Sequence, residues 1–393
     1  MTTSYWEDPY PEYEEVRAAG PLHFNEDLGT WIVTGHDEAR AALTNEDLSS
    51  DWLRGPLFRE VGAPAAEHVR DWLMWMDPPA HGAARTAVAS VFNRTMSRTR
   101  AAWTGELVTT RWERFATEGG GDLVEGYALP LTTTVITRVA GLSAAEETLR
   151  AWSGAAGTLM ATPRHPPAVA AADRALAALA AELADADRTD RTDGTDRTDG
   201  TDGTDGTGRT VSAAGARDTV VGRADPGVRG GGRLHLASLF AFAGIETTSQ
   251  AIARLVDLHL DGALDLTRPA ETVVHELLRY DTPVPQVPRL ATRDTVVAGR
   301  RISAGDAVLV LLAAANRDPR RFPDPTTAAP REDAARHLAY GHGRHRCLGA
   351  PLAQHILTAL VPAVRTTAPR RASRTTWHRG RGYRGIQRLE VSF

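Results

Sequence analysis

Cysteine is almost absent from this chain: Cys347 is the only one in 393 residues, so no internal disulfide can form. Lysine is missing altogether, and all 45 basic residues are arginines. Any electrostatic docking surface must therefore be built from guanidinium groups. No run approaches the roughly 20 uninterrupted apolar residues of a membrane-spanning helix. Nor is there an excess of positive charge. The net charge is −4, which gives a general nucleic-acid role no support. The opening MTTSYWEDPYPEYEEVRAAG is acidic and broken by prolines, unlike a signal peptide or membrane anchor. A cytoplasmic protein with no membrane or nucleic-acid partner is expected. What is present, 42% hydrophobic and 24% charged, is an ordinary globular composition, long enough for one large domain or two.

The single cysteine stands in HLAYGHGRHRCLGAPLAQHILTAL, residues 337–360. Before it the chain reads as a loop, because Gly341 and Gly343 permit backbone that a side chain would forbid and let the chain pass close under a flat ligand. After it the chain reads as a helix. Pro351 suits a first turn, and Leu348, Leu352, Ile356, Leu360 and Val361 recur at helical spacing. A cysteine here faces the positive end of a helix dipole together with Arg344, His345 and Arg346. All favour thiolate over thiol. A lone cysteine is commonly a small buried hydrophobe; a thiolate on a glycine-rich turn with no second cysteine suits a single axial bond to haem iron.

Elsewhere the pattern is mainly helical. Short helices are expected over 8–19 and 36–43, separated by a hairpin of strands 21–24 and 31–34. The irregular stretch 45–75 is rich in aromatics, with Trp52, Phe58, Trp72 and Trp75; these either cover a core or line a flexible lid over a pocket. Asp77-Pro78-Pro79 opens a further helix, with Asp77 as cap. On it His81 and Arg85, four apart, share one face. Such a pair is either a solvated surface or a grip on a carboxylate. Helical segments follow over 101–116, 131–139, 144–160 and 168–183. Then the composition changes: Asp190, Asp193, Asp196, Asp199, Asp202 and Asp205 recur every third residue among Thr, Gly and Arg. The spacing matches neither an EF-hand nor a calcium-binding nonapeptide repeat, and these residue types cannot bury a core. Residues 187–210 therefore read as a disordered insertion within one domain spanning 1–393.

The longest apolar helical run is 234–260, the pattern of a central helix. Inside it, Ala243-Gly244-Ile245-Glu246-Thr247-Thr248 predicts a polar notch. Gly244 lets a flat ligand approach, and the Thr247 hydroxyl can reach the Ala243 carbonyl and locally open the helix. A helix over 271–280 carries Glu276 and Arg279 three apart, and residues 377–393 suggest a terminal hairpin turning at Tyr383-Arg384-Gly385.

Tyr340-Gly341-His342-Gly343-Arg344-His345-Arg346-Cys347-Leu348-Gly349-Ala350 resembles the haem-binding signature of the cytochrome P450 family, which usually opens with Phe where this chain has Tyr340. Ala243–Thr248 resembles the family's oxygen-activation motif, and Glu276-Leu277-Leu278-Arg279 its structural Glu-x-x-Arg. The resemblance covers nearly the whole chain, interrupted mainly by the Asp/Thr/Gly segment. It implies a mainly α fold with a minor β part and one haem b, held between the 234–260 helix and the Cys347 loop.

By the same resemblance Cys347 ligates the iron, and Gly341, His345 and Gly349 belong to the haem loop. His81, Arg85, Arg289 and His345 meet the two propionates, while Ala243 and Gly244 face the macrocycle. Thr247 would hold the outer oxygen of dioxygen and a water by hydrogen bonds, and Glu246 would relay protons as a general acid. Glu276 and Arg279 are structural, joined by a second arginine bracing the Cys loop, for which Arg331 is the candidate. The stretch 45–75 is where the family has a substrate-bordering loop.

The implied activity is a monomeric monooxygenase that inserts oxygen from O2 into a mostly apolar small molecule, fed by NAD(P)H through a ferredoxin reductase and a ferredoxin. Arg344 and Arg346 are candidates for the docking face. The arginine-only, Ala/Gly/Pro-rich composition suggests a GC-rich bacterial genome and a place in specialised metabolism such as antibiotic biosynthesis. Oxidative coupling or ring closure without oxygen insertion is the alternative reaction; a non-catalytic haem sensor is the alternative of a different class.

Overall fold

A computed structural model describes residues 3–54, 61–95, 98–195, 230–378 and 384–393. The expected mainly α architecture with a minor sheet is what forms. Helices α1 (Tyr10–Ala18) and α2 (His36–Thr44) bracket a hairpin of β1 (Leu22–Asn25) and β2 (Thr30–Val33). Strand β3 (Leu48–Ser49) precedes a helical series: α3 (Pro64–Val69), α4 (Ala80–Thr95), α5 (Arg98–Thr117), α6 (Leu129–Ala140), α7 (Glu146–Ala161) and α8 (Pro166–Thr195). Then come α9 (Arg233–Leu260), α10 (Ala270–Tyr280), β4 (Val287–Ala291), β5 (Ala307–Val310), α11 (Ala350–Thr367) and a terminal hairpin of β6 (Thr376–Trp377) with β7 (Ile386–Arg388).

The chain divides into two compact units. One holds 1–56, 98–131 and 247–393; the other holds 57–97 and 132–246. Helices α6 and α9 run through the division.

The first unit carries a five-stranded sheet ordered β1-β2-β5-β4-β3, in which β2 and β5 pair in parallel and the other neighbours are antiparallel. Its buried face collects Leu22, Val33, Val308, Val310 and Ala291 against α2 residues Ala39, Ala42 and Leu43. Beside it, α11 buries Leu352, Ile356, Leu360 and Val364, the stripe that helical spacing dictates. The Trp112 indole N–H on α5 ties α5 to the end of α11 by donating to Thr367 Oγ1 at 3.0 Å.

The second unit is organised around Ser238 on α9. Its hydroxyl oxygen accepts from Trp72 Nε1 at 3.0 Å and lies 2.8 Å from His68 Nε2; its carbonyl accepts from Trp152 Nε1 at 2.9 Å. Trp72 stacks on Phe242 with ring centroids 5.0 Å apart and meets Trp152 edge-on at 6.0 Å. Trp72 is fully buried and Trp75 nearly so. These two tryptophans therefore cover a core, settling for them the choice left open by sequence. Phe58 lies outside the described residues.

Two boundaries differ from expectation. Helix α8 continues past Leu183 to Thr195, so the opening of the repeat segment continues the alanine-rich helix before it; residues 196–210 lie outside the described residues. And α9 is unbroken through Thr247, where a local opening was expected. A threonine hydroxyl can back-bond within a helix with no more than a slight bend.

Candidate functional site

Cys347 stands at the end of a loop that the backbone itself closes. Its N–H donates to Tyr340 O at 2.8 Å, Gly341 N–H to Leu338 O at 2.8 Å and Arg346 N–H to Gly343 O at 3.1 Å. Gly341 and Gly343 have φ of +66° and +71°, the left-handed region open mainly to glycine. Gly343 has a second reason: a Cβ there would come within 3.1 Å of Thr44 on α2. After the loop Gly349 caps α11, with Pro351 in its first turn as expected. The Cys347 side chain is exposed and makes no disulfide. Tyr340, beside it, is half-buried, and both desolvation of its hydroxyl and negative charge on Cys347 push that hydroxyl well above the usual tyrosine range.

Polar groups buried in the same unit hold this loop from behind. Glu276 and Arg279 are completely buried and form a two-pronged pair at 2.8 and 2.7 Å. Burial pushes the Glu276 carboxyl up, against the pull of the Arg279 guanidinium. Arg279 also donates to the carbonyls of Asn316, Pro325 and Thr327, and Arg331 Nε lies 4.0 Å from Glu276 Oε1. The direct link to the Cys loop is Asn316, a residue that no local pattern marks for this contact. Asn316 Oδ1 accepts Leu338 N–H at 2.6 Å, and its Nδ2 donates to Thr282 Oγ1 at 2.8 Å. Arg289 lies buried on β4 opposite Val308, with Nη1 donating to Pro288 O at 2.8 Å.

On α9 one strip escapes burial. Ile245, Ser249, Ile252 and Val256 are wholly buried, whereas Ala243 is exposed and Gly244 and Thr247 are half-buried. Residues at i, i+1 and i+4 share one face, so a hydroxyl and two small residues line a gap in an otherwise covered helix. Glu246 is buried beside it, its Oε1 3.8 Å from where a Cβ would stand on Gly154 of α7. Gly244 also has a packing role that the sequence did not reveal: a Cβ there would overlap Ile136 Cδ1 of α6. On α4, His81 is buried with Ala84 and Val88, and Arg85 is half-buried on the same side. The solvated-surface reading of that pair is excluded for His81. An open cleft of about 530 Å³ in the second unit is lined by Val61, Pro163, Pro166, Val169, Arg164 and Asp173.

The donor chemistry fits haem. Among the described residues no group of three His, Cys, Asp or Glu side chains could hold a metal ion. Iron at Cys347 would thus take one ligand from the loop and need its other ligands from a macrocycle. The Cys347 loop and His81 lie on the elements expected for them, a loop before a helix and the helix after Pro79. Sequence missed Asn316, His275 and His337, whose partners are distant in the chain.

A family model for cytochrome P450 matches residues 270–364, from α10 through the Cys loop into α11. The chain is 31% identical to the cytochrome P450 monooxygenase PikC of Streptomyces venezuelae over 98% of its own length and 91% of that protein's. It is 28% identical to the 6-deoxyerythronolide B hydroxylase of Saccharopolyspora erythraea over 99% and 96% of the two chains. Among solved structures, that of CalO2 superposes with a TM-score of 0.81 at 26% identity, covering 100% of this chain and 97% of that one.

Proposed function

The chain belongs to the cytochrome P450 family and is a haem-dependent monooxygenase, and from that premise we propose that it hydroxylates a mostly apolar small molecule in bacterial specialised metabolism. Its electrons would come from NAD(P)H through a ferredoxin reductase and a ferredoxin, in the cytoplasm. Among the described residues no helix is long and apolar enough to cross a membrane. The relative named for hydroxylating 6-deoxyerythronolide B supports oxygen insertion as the reaction.

The single observation that carries the reading is Cys347: one exposed sulfur on a loop closed by its own backbone and braced by a buried ion pair. Haem, when bound, supplies the iron at which dioxygen is reduced. The side chains do the rest. Cys347 would hold the iron through its thiolate and raise the electron density on it. Arg289, His345, His81 and Arg85 hold the propionates as charged or hydrogen-bonding donors. Ala243, exposed on α9, would leave room for the flat ring, with Gly244 beside it packed against Ile136.

The Thr247 hydroxyl would donate a hydrogen bond to dioxygen and hold a water beside it. Glu246 passes protons to that water from its buried carboxyl. The Arg344 and Arg346 side of the loop attracts an acidic ferredoxin.

The test is product mass under isotopically labelled dioxygen, with a substrate first identified by its shift of the ferric spin state. One labelled oxygen in the product supports hydroxylation; loss of two hydrogens with no label supports coupling or ring closure instead. Thr247→Ala should consume reductant as before but divert it to peroxide, with product per reductant falling about a hundredfold, the low end of what one proton-transfer group contributes. Unchanged coupling would remove Thr247 from the assignment.

A further inference from the structure

Behind the Cys loop lies a pair of histidines that the proposed chemistry does not use. His337, the first residue of the 337–347 segment, accepts Ala339 N–H at its Nδ1, 3.1 Å away. Its Nε2 lies 3.5 Å from Nδ1 of His275 on α10. The Nε2 of His275 is 2.9 Å from the Gln354 amide of α11 and 3.8 Å from Glu271 Oε1. Thus α10, α11 and the Cys loop meet at two imidazoles.

The Gln354 atom facing His275 is Nε2; with that amide turned end for end, one placement of protons satisfies every contact. A neutral imidazole has one N–H and one bare nitrogen. Because His337 Nδ1 receives a hydrogen bond, its proton is on Nε2, which donates to the bare Nδ1 of His275. The His275 proton then sits on Nε2 and points at Gln354, whose amide, free to present either end, offers its oxygen. No nitrogen is left for another proton. Protonating His275 sets two N–H groups against each other across 3.5 Å. Protonating His337 sets Nδ1–H against Ala339 N–H. Either breaks the hold on Ala339, one residue before Tyr340, whose carbonyl receives Cys347 N–H.

We propose that His275 and His337 form a positioning latch for the Cys347 loop, in which uptake of one proton frees the loop and with it the axial thiolate. The inference rests on Cys347 being the iron ligand. His275 and His337 are positioning residues, acting through backbone and not on substrate.

The surroundings favour the neutral, latched state. Burial first, then His275, and then the charges of Arg346 from the loop, Arg279 from α10 and His36 from α2 drive His337 down to about 3. Burial also lowers His275, opposed by Glu271 one turn before it. Once released, both rings would return toward the ordinary histidine value near 6.5. Latching is then fully effective above that pH and is lost as pH falls toward the depressed values, where the released state binds more protons.

The experiment is an acid titration of the ferrous CO spectrum of the holoenzyme, comparing wild type with His275→Asn and His275→Leu. Asparagine keeps an acceptor for His337 Nε2–H but cannot titrate. Leucine removes the acceptor. The wild type should lose its thiolate-type band as acid is added, and His275→Asn should hold it to a pH about one unit lower, a tenfold weaker proton linkage. His275→Leu should show a severalfold smaller thiolate-type fraction already at neutral pH. If His275→Leu fails to fold, the comparison of wild type with His275→Asn alone decides. Identical midpoints for wild type and His275→Asn, beside a normal wild-type band, overturn the latch and leave Cys347 intact as ligand. A wild-type protein with no thiolate-type band at any pH overturns the ligand assignment, and the latch with it.

Discussion

The two units are held together by opposite means. The Cys347 loop rests on buried polar groups: Glu276 with Arg279, Asn316 on Leu338, His337 on Ala339. The other unit rests on tryptophans, with Trp72 and Trp152 converging on Ser238. Aromatic packing gives a large stabilisation but tolerates small shifts. Directional hydrogen bonds in a low-dielectric interior admit fewer alternatives. A loop that must present one sulfur at one place gains from the second; a helical core needs only the first.

This contrast can be broken at its strongest point. Arg279→Ala leaves Glu276 without its main partner in the dry interior and removes donors from three carbonyls. A loss of about 3–5 kcal/mol is expected for breaking a buried pair, with haem retention lost in parallel, measured by denaturant unfolding and by the haem-to-protein absorbance ratio. Normal haem content in a strongly destabilised variant would uncouple the brace from the loop.

Trp72→Ala should cost about 3 kcal/mol from lost burial and the cavity left. The same two measurements should here separate, because the haem loop is braced by other residues: stability falls while the thiolate-type CO spectrum of the folded fraction persists. Ser238→Ala is the mildest. It leaves the Trp72 and His68 ring nitrogens without their shared hydroxyl, costing about 1–2 kcal/mol, visible as a lowered Tm with unchanged haem content. A Ser238→Ala effect as large as that of Trp72→Ala would mean that this unit too is held mainly by hydrogen bonds.

The same contrast explains what the sequence made legible. Cys347 and its two glycines are local signals, because φ requirements, helix start and ligand chemistry all fall within a dozen residues. So are the apolar stripe of α11 and the hairpin of β1 and β2. The brace was only half legible. Glu276 and Arg279 declare themselves by spacing, but Asn316 joins Leu338 across 22 positions and His275 joins His337 across 62. Nothing in either residue type announces such a partner.

Gly244 shows the converse. Its place in a recognisable motif suggested room for a ligand, and Ile136, from another helix, supplies a packing reason that no local pattern contains. Trp72 likewise read as either core or lid until Ser238 and Phe242 supplied its neighbours. Asp77-Pro78-Pro79 did mark the start of α4, and the burial of His81 turned an ambiguous helical pair into an inward-facing one.

The central claim is that Cys347 alone provides the iron ligand from an independently braced loop. The most direct test is the ferrous CO spectrum of the purified holoprotein beside that of Cys347→Ser. The wild type is predicted to give the thiolate-type band and the variant to lose it entirely while keeping its far-ultraviolet circular dichroism and its Tm within a few degrees. A thiolate-type band that survives in Cys347→Ser, or its absence from a folded, haem-loaded wild type, would contradict the account.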